Sequence, residues 1–418
     1  MTPRRGPRPL PLHLGLAGLR GWAALASLPP SSAAWPSWSA GWPISRAGRA
    51  EAQRLLARLD ASGSSAAELR EAVSRRLGAD NAALIAGIAA YRRHPEGPPP
   101  PPAPPTLWAE GTTRLLDHAS GATGPAILFV PSLVNRARVL DLLPGHSLLR
   151  WFAAQGTHPL LLDWDSPGEA ERGMDLTGFI AGRLERALAA AQAATGGPVI
   201  LAGYCMGGLL TLAAAIRRPE LVRGLALLAT PWDFWADGAE ARSRALAALL
   251  PALEPALAAT GTLPVEALQA LFSGLDPFGV SRKFRGFPRL DPASPRTTLF
   301  VALEDWLNDG IPLPAPVARE TLAGWYGENT PARLRWRVAG RVVDPADWPG
   351  PSFLAIPHRD RIVPPDSARA LAARLPRAVL HDAPAGHIGM AAGSTAETAL
   401  WQPLLAWATA VSRESPQG

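Results

Sequence analysis

The stretch that most limits how this chain can fold is GYCMGG, Gly203–Gly208, which joins the apolar run PVILA to the apolar run LLTLAAAI without a spacer. The first run has the length and branching of a buried strand, and the second has the small, unbranched residues of a buried helix. A strand that turns directly into a helix puts the residue at the corner into a strained backbone conformation. Its neighbours two before and two after, Gly203 and Gly207, must then be small, or they collide with the adjoining strand and helix. The corner residue is Cys205, the sole cysteine among 418 residues. It makes no internal disulfide, and a cysteine-rich structural zinc site is excluded.

Around that corner one rhythm repeats. Ala126–Val130, Pro159–Trp164, Val199–Gly203, Leu225–Ala229 and Ser352–Ile356 are short apolar runs separated by amphipathic or small-residue helical stretches. This predicts an α/β fold with a mostly parallel sheet covered by helices on both faces. Between Trp232 and about Asp347 the rhythm breaks into an insertion rich in Pro, Trp and Leu, placed between the fourth and fifth strands. Such an insertion suits a cap over the carboxyl ends of the strands. Upstream, Arg46 to about His94 carries helical spacing, and EGPPPPPAPP (Glu96–Pro105) can form neither helix nor ladder. The expected organisation is an N-terminal helical extension over 1–95 and a proline-rich linker over 96–105. A first core part over 106–231, a cap or lid over 232–347 and a second core part over 348–418 follow.

Composition narrows the function. A chain 47% hydrophobic and 18% charged is globular. Its formal charge of +6 comes almost wholly from arginine, Lys283 being the only lysine, and is spread without a basic run. That argues against a nucleic-acid partner. Arg282 precedes Lys283 where a phosphate-binding loop needs glycine, and no HExxH or Cys/His cluster points to a metal. The N-terminal apolar residues are cut by Arg20 and Gly21, short of the roughly twenty that cross a membrane. An amphipathic helix is expected there, followed by an arm pinned to the body by Trp35, Trp38 and Trp42. The expectation is a cytoplasmic chain with no transmembrane segment, no metal and no cofactor.

GYCMGG has the arrangement of a nucleophile elbow, with Cys205 where an esterase has serine. The sulfur is expected near a helix N-terminus, whose dipole favours thiolate, and the Met206 N–H points where an oxyanion would form. A nucleophile needs a base and the base an orienter. After SFLAI comes PHRDRIVPP with Asp360, and after AVLHDAP comes AGHIGM with His387. Asp366 and Asp382 are the rival acids; Asp366 is expected to cap the helix SARALAARL. The loop PSLVNRARVLDL offers the backbone N–H near Val134 as a second oxyanion donor.

On these residues the chain resembles the polyhydroxyalkanoate synthases, which have the α/β-hydrolase fold. Gly203, Cys205, Gly207 and Gly208 match their Gly-x-Cys-x-Gly-Gly box. Asp360, Ile362, Val363 and Pro364 match their acid segment, and Gly386, His387, Ile388 and Gly389 their histidine segment. Similarity also runs through LVNRARVLDLLPGHSLLRWFAAQG, LLLDWDSPG, TPWDF and DWLNDGIPLP, and is closest to the short synthases that work with a separate subunit. The resemblance implies that Cys205 attacks a 3-hydroxyacyl-CoA and carries the acyl chain as a thioester. His387 would be the base, with Asp360 orienting it or helping activate the attacking hydroxyl. It implies as partners the acyl-CoA, the growing polyester, a partner subunit or second copy, and a polyester granule surface. The chain departs from the pattern in its N-terminal helical segment, its polyproline linker and Gly168, where many synthases have Asp. The same three residues, with water as acceptor, would make a cysteine hydrolase of polyhydroxyalkanoate oligomers, esters or thioesters. A third reading is a non-catalytic granule-binding protein that uses the Trp-rich arm and cap.

Overall fold

The computed structural model describes residues 4–28, 46–95 and 102–414. The arm bearing Trp35, Trp38 and Trp42 and the linker residues 96–101 lie outside the described residues. Two units divide the chain: the N-terminal residues to Pro95 together with Pro277–Pro292, and Glu96–Asp276 together with Ala293 onward.

In the first unit, helices α1 (Leu10–Ala26), α2 (Arg46–Ser62) and α3 (Ala66–Arg93) follow the helical spacing of the sequence. Ser65 and Glu68 form a capping box at the start of α3: the Glu68 N–H donates to Ser65 Oγ at 3.2 Å and the Ser65 N–H to Glu68 Oε2 at 2.8 Å. Residues Pro277–Pro292, inside the stretch expected to be cap, cluster with these helices. The cause is local. Phe284, on the helix Gly279–Gly286, meets Tyr91 edge-on at 5.5 Å, and its backbone lies where Gly87 has no side chain.

In the second unit, an eight-stranded sheet forms among the described residues. Its strands are β1 (Thr106–Glu110), β2 (Thr113–Asp117), β3 (Ala126–Val130), β4 (His158–Asp163), β5 (Val199–Tyr204), β6 (Val222–Leu228), β7 (Ser352–Pro357) and β8 (Ala378–Ala383). They lie in the order β1-β2-β4-β3-β5-β6-β7-β8. From β4 to β8 every neighbour is parallel, while β2 runs antiparallel to both β1 and β4. The apolar runs are continuous because both faces are covered. Leu128 and Val130 of β3 join one buried cluster with Leu201 of β5, whereas Ile127 and Phe129 join another with Ile200 and Ala202. The hairpin β1–β2 was not anticipated; TLWAE and TRLLD are too short and mixed to stand out, and only the tight turn at Gly111 (φ 58°) marks it. Parallel strands bring the ends of β3, β5, β7 and β8 to one edge, where loops can meet. No described helix is long and apolar enough to cross a membrane.

Two glycines of α3 offer a test of the first unit. An alanine Cβ at Gly87 runs into the Phe284 carbonyl, while one at Gly78 meets open space. In denaturant unfolding followed by circular dichroism, Gly87→Ala is expected to destabilise by about 1–3 kcal/mol. Gly78→Ala should stabilise by about 0.5–1 kcal/mol. Equal effects at the two positions would contradict the close approach at Gly87.

Candidate active site

The corner between β5 and the helix α4 (Met206–Arg217) places Cys205 at φ 56°, ψ −126°, a conformation that an L-residue holds only under constraint. Its N–H donates to the Leu228 carbonyl at 2.8 Å, tying the corner to the end of β6. The three glycines around it are required by space, since none of them has positive φ. A Cβ on Gly203 would strike Thr211 and the Gly208 backbone, one on Gly207 the Val130 and Pro131 carbonyls, and one on Gly208 the Thr230 side chain. Cys205 remains half-buried and reachable. Met206 opens α4, so its N–H has no carbonyl in a preceding helical turn to bond.

The register of β7 with β8 aligns Pro357 with Ala383, and the loops beyond continue side by side. The His358 N–H donates to the Ala383 carbonyl and the Arg359 N–H to the Ala385 carbonyl, both at 3.0 Å. Asp360 and His387 therefore arrive together, with Asp360 Oδ2 2.6 Å from His387 Nδ1. The other carboxylate oxygen accepts the N–H groups of Ile362 at 2.8 Å and Val363 at 2.9 Å, which fixes its orientation. Nδ1 is thus occupied, leaving Nε2 as the free ring nitrogen, and His387 and Cys205 line the same cavity. Both Asp360 and His387 are buried. Burial by itself pulls the imidazole down; the charge of the Cys205 sulfur and the hydrogen bonds from Asp360 and Cys205 outweigh it and push His387 up to about 10 from its ordinary 6.5. The raised value favours the protonated ring, so His387 can act as a proton donor as well as an acceptor.

The rival acids lie elsewhere. Asp382 is exposed and binds Arg369 at 2.6 Å. Asp366 was expected to cap its helix, but that helix spans Pro365–Ala372 with Pro364 at the cap; Asp366 sits exposed in the first turn, 3.7 Å from Arg369. Val134 lines the site, yet its N–H donates to Ser132 Oγ at 3.1 Å. A local Ser turn has taken this donor, leaving the Met206 amide as the open one of the two expected donors.

Several contacts were missed from sequence. The Tyr204 hydroxyl donates to the His387 carbonyl at 3.2 Å, and its ring lies 5.3 Å from the imidazole. The motif segments beyond the three site boxes interlock into a wall. Arg136 Nη1 meets Asp165 at 2.9 Å and its Nε meets Asp309 at 2.9 Å, while the Trp306 indole N–H donates to the Arg136 carbonyl at 2.8 Å. The Trp164 indole N–H donates to the Pro131 carbonyl at 3.1 Å, holding the loop that faces Cys205. Asn329, at φ 53°, uses its amide to bind Asp233 Oδ1 and the Phe234 N–H. These elements enclose a cavity of about 270 Å³, lined mainly by apolar side chains including Phe234, Trp325 and Tyr326, into which Cys205 and His387 open.

Residues 125–393 match the family described as alpha/beta hydrolase fold. The chain is 26% identical over 318 residues to the poly(3-hydroxyalkanoate) polymerase subunit PhaC of Haloferax mediterranei, covering 72% of this chain and 62% of that protein, less than two thirds of it. To the poly(3-hydroxyalkanoate) polymerase subunit PhaC of Allochromatium vinosum it is 28% identical over 287 residues, covering 67% of this chain and 79% of that protein. Among solved structures, a thermophilic esterase from Thermogutta terrifontis superposes with a TM-score of 0.45 at 18% identity, covering 74% of this chain and 98% of the esterase.

Because the folded His387 value lies above the ordinary one, this group stabilises the fold fully below about pH 6.5, and the contribution is lost as pH rises through about 10. In Cys205→Ala the sulfur charge is gone, burial counts for more, and the imidazole titration followed by NMR should move to lower pH. An unmoved titration would show that sulfur and ring do not interact.

Proposed function

Since the chain belongs to the alpha/beta hydrolase fold family, we propose that it is an acyltransferase of the polyhydroxyalkanoate synthase type, with Cys205 as nucleophile, His387 as base and Asp360 as its orienting acid. The observation that carries this reading is the buried Asp360–His387 pair, whose ring lines the same apolar cavity as Cys205. The similarity to poly(3-hydroxyalkanoate) polymerase subunits supports it.

The cycle starts from thiolate and imidazolium. Cys205 Sγ attacks the thioester carbonyl of a 3-hydroxyacyl-CoA, and the oxyanion is received by the Met206 N–H; Val134 joins only if its N–H exchanges the Ser132 hydroxyl for it. The carbon–sulfur bond to the carrier breaks, and the departing thiolate takes the His387 proton. The neutral imidazole then removes the proton of an incoming hydroxyl as its oxygen attacks the Cys205 thioester. An oxoester forms, the Cys205–acyl bond breaks, and thiolate and imidazolium are restored. Thiolate-to-thioester exchange is nearly isoenergetic, so sulfur loads the chain reversibly, and transfer to oxygen gives the more stable product. The Tyr204 hydroxyl, held on the His387 carbonyl, would steady the ring through both proton transfers. The relatives' description as subunits adds to the proposal a partner subunit.

The test uses purified full-length chain and 3-hydroxybutyryl-CoA. Release of CoA with polymer is expected; CoA with free hydroxyacid would reassign the chain to hydrolysis. Cys205→Ala should lower CoA release by on the order of a thousandfold or more and abolish the acyl adduct seen by mass spectrometry. Release unaffected by that change would end the nucleophile assignment.

A further inference from the structure

Besides the site itself, three charged side chains line the cavity: Arg136, Asp233 and Arg242. Two are already engaged. Arg136 is ion-paired with Asp165 and Asp309, and Asp233 accepts the Trp235 N–H and the Asn329 amide, each at 2.8 Å. Arg242 has neither an ion pair nor a hydrogen bond among the described residues. It belongs to the helix α5 (Glu240–Ala247), where Arg242, Ser243 and Leu246, with Ala239 just before, line the cavity at three- and four-residue spacing. The guanidinium thus stands on the cavity stripe, while Glu240 and Arg244 pair with each other at 2.9 Å.

Arg242 is also exposed, so the cavity lining reaches solvent at this guanidinium. Tyr326 lines the same cavity. Burial raises Tyr326 to about 12, the Cys205 charge adds to the rise, and the Arg242 guanidinium opposes it. Next to the cavity-lining Phe234, the Trp235 ring has Arg244 at 4.7 Å and Arg333 at 5.7 Å from its centre, so further positive charge gathers nearby.

A thioester that places its acyl carbonyl on Cys205 must direct its leaving thiol arm outward. On the acyl-transfer reading of the site, on which this rests, we propose that Arg242 is the specificity residue that binds a phosphate on that arm, so that the enzyme selects thioesters of phosphopantetheine-type carriers over phosphate-free ones. The planar guanidinium suits two phosphate oxygens at once, and an exposed cation without a partner loses little by taking one.

The experiment compares 3-hydroxybutyryl thioesters of coenzyme A, of 4′-phosphopantetheine and of N-acetylcysteamine on full-length wild type, Arg242→Ala and Arg242→Lys. The expected result is a KM about tenfold higher for the coenzyme A thioester in Arg242→Ala, with kcat kept, partial rescue by Lys, and an effect that shrinks in high salt. The KM for the phosphate-free thioester should stay within about twofold. A matching penalty on the phosphopantetheine thioester upholds the contact to the phosphate shared with carrier proteins; a penalty confined to coenzyme A, which would place the contact at the nucleotide end, overturns it. Equal losses on all three thioesters, or none, overturn the proposal. Calorimetric binding of free coenzyme A to the same variants, against free pantetheine, decides the matter even where no thioester is turned over. Weaker coenzyme A binding in Arg242→Ala with pantetheine binding unchanged upholds the phosphate contact, and equal binding by wild type and variant removes it, whatever becomes of the acyl-transfer reading.

Discussion

A single backbone corner sets the terms for this structure. Cys205 holds a positive φ because β5 and α4 are clamped so closely that Gly203, Gly207 and Gly208 have no room for a Cβ. The clamp is made of backbone carbonyls at Val130 and Pro131 and side chains at Thr211 and Thr230, so it draws on β3, α4 and the loop after β6 together. Strain at one residue persists only when its surroundings over-determine it. The consequence is positional. The sulfur sits at the carboxyl edge of the sheet, between the loop after β3 and the loops after β7 and β8, whatever the cap does.

The second dependence is electrostatic. The Asp360 and His387 side chains are almost wholly out of water, which costs on the order of several kcal/mol per charged group unless it is compensated. Compensation is complete for the carboxylate: two backbone amides hold one oxygen and the imidazole holds the other. The raised His387 value reflects the same economy, because a buried imidazolium between two negative partners is favoured over a buried neutral ring facing an unpaired charge.

The sheet and the three site boxes were legible in the sequence for one reason: each rests on local pattern. Continuous apolar runs at Ala126–Val130 and Val199–Gly203 can only be strands covered on both faces, and the register of β7 with β8 carries Asp360 and His387 to the same level. What escaped was long-range. Nothing near Pro277 announces that the helix Gly279–Gly286 packs on α3, because the decisive feature is a missing side chain at Gly87, about two hundred residues away. The hydrogen bond that occupies the Val134 amide was equally hidden, since Ser132 differs from an ordinary loop serine only in its rotamer. Tyr204 could have been suspected: an aromatic directly before Cys205 at the corner is where a ring can pack on the His387 imidazole.

The wall built by Arg136, Asp165, Asp309 and Trp306 gives a structural reason for the motif segments that lie outside the three site boxes. They come from three different stretches, and Arg136 ties the other two to its own by two ion pairs and an indole hydrogen bond. A loop anchored only by its own turn would let the region facing Cys205 open to water. Anchored at three points, with the Trp164 indole N–H on the Pro131 carbonyl, it keeps its shape while apolar side chains such as Phe234, Trp325 and Leu322 line the other side. On the proposed chemistry the imidazole cannot tell a chain hydroxyl from water; both offer the same O–H. Discrimination must then come from what reaches the thioester, and a rigid, mostly apolar cavity of about 270 Å³ filled by the acyl chain itself leaves water few polar partners along the way. On that proposal the wall, more than the three side chains at its base, would separate transfer from hydrolysis.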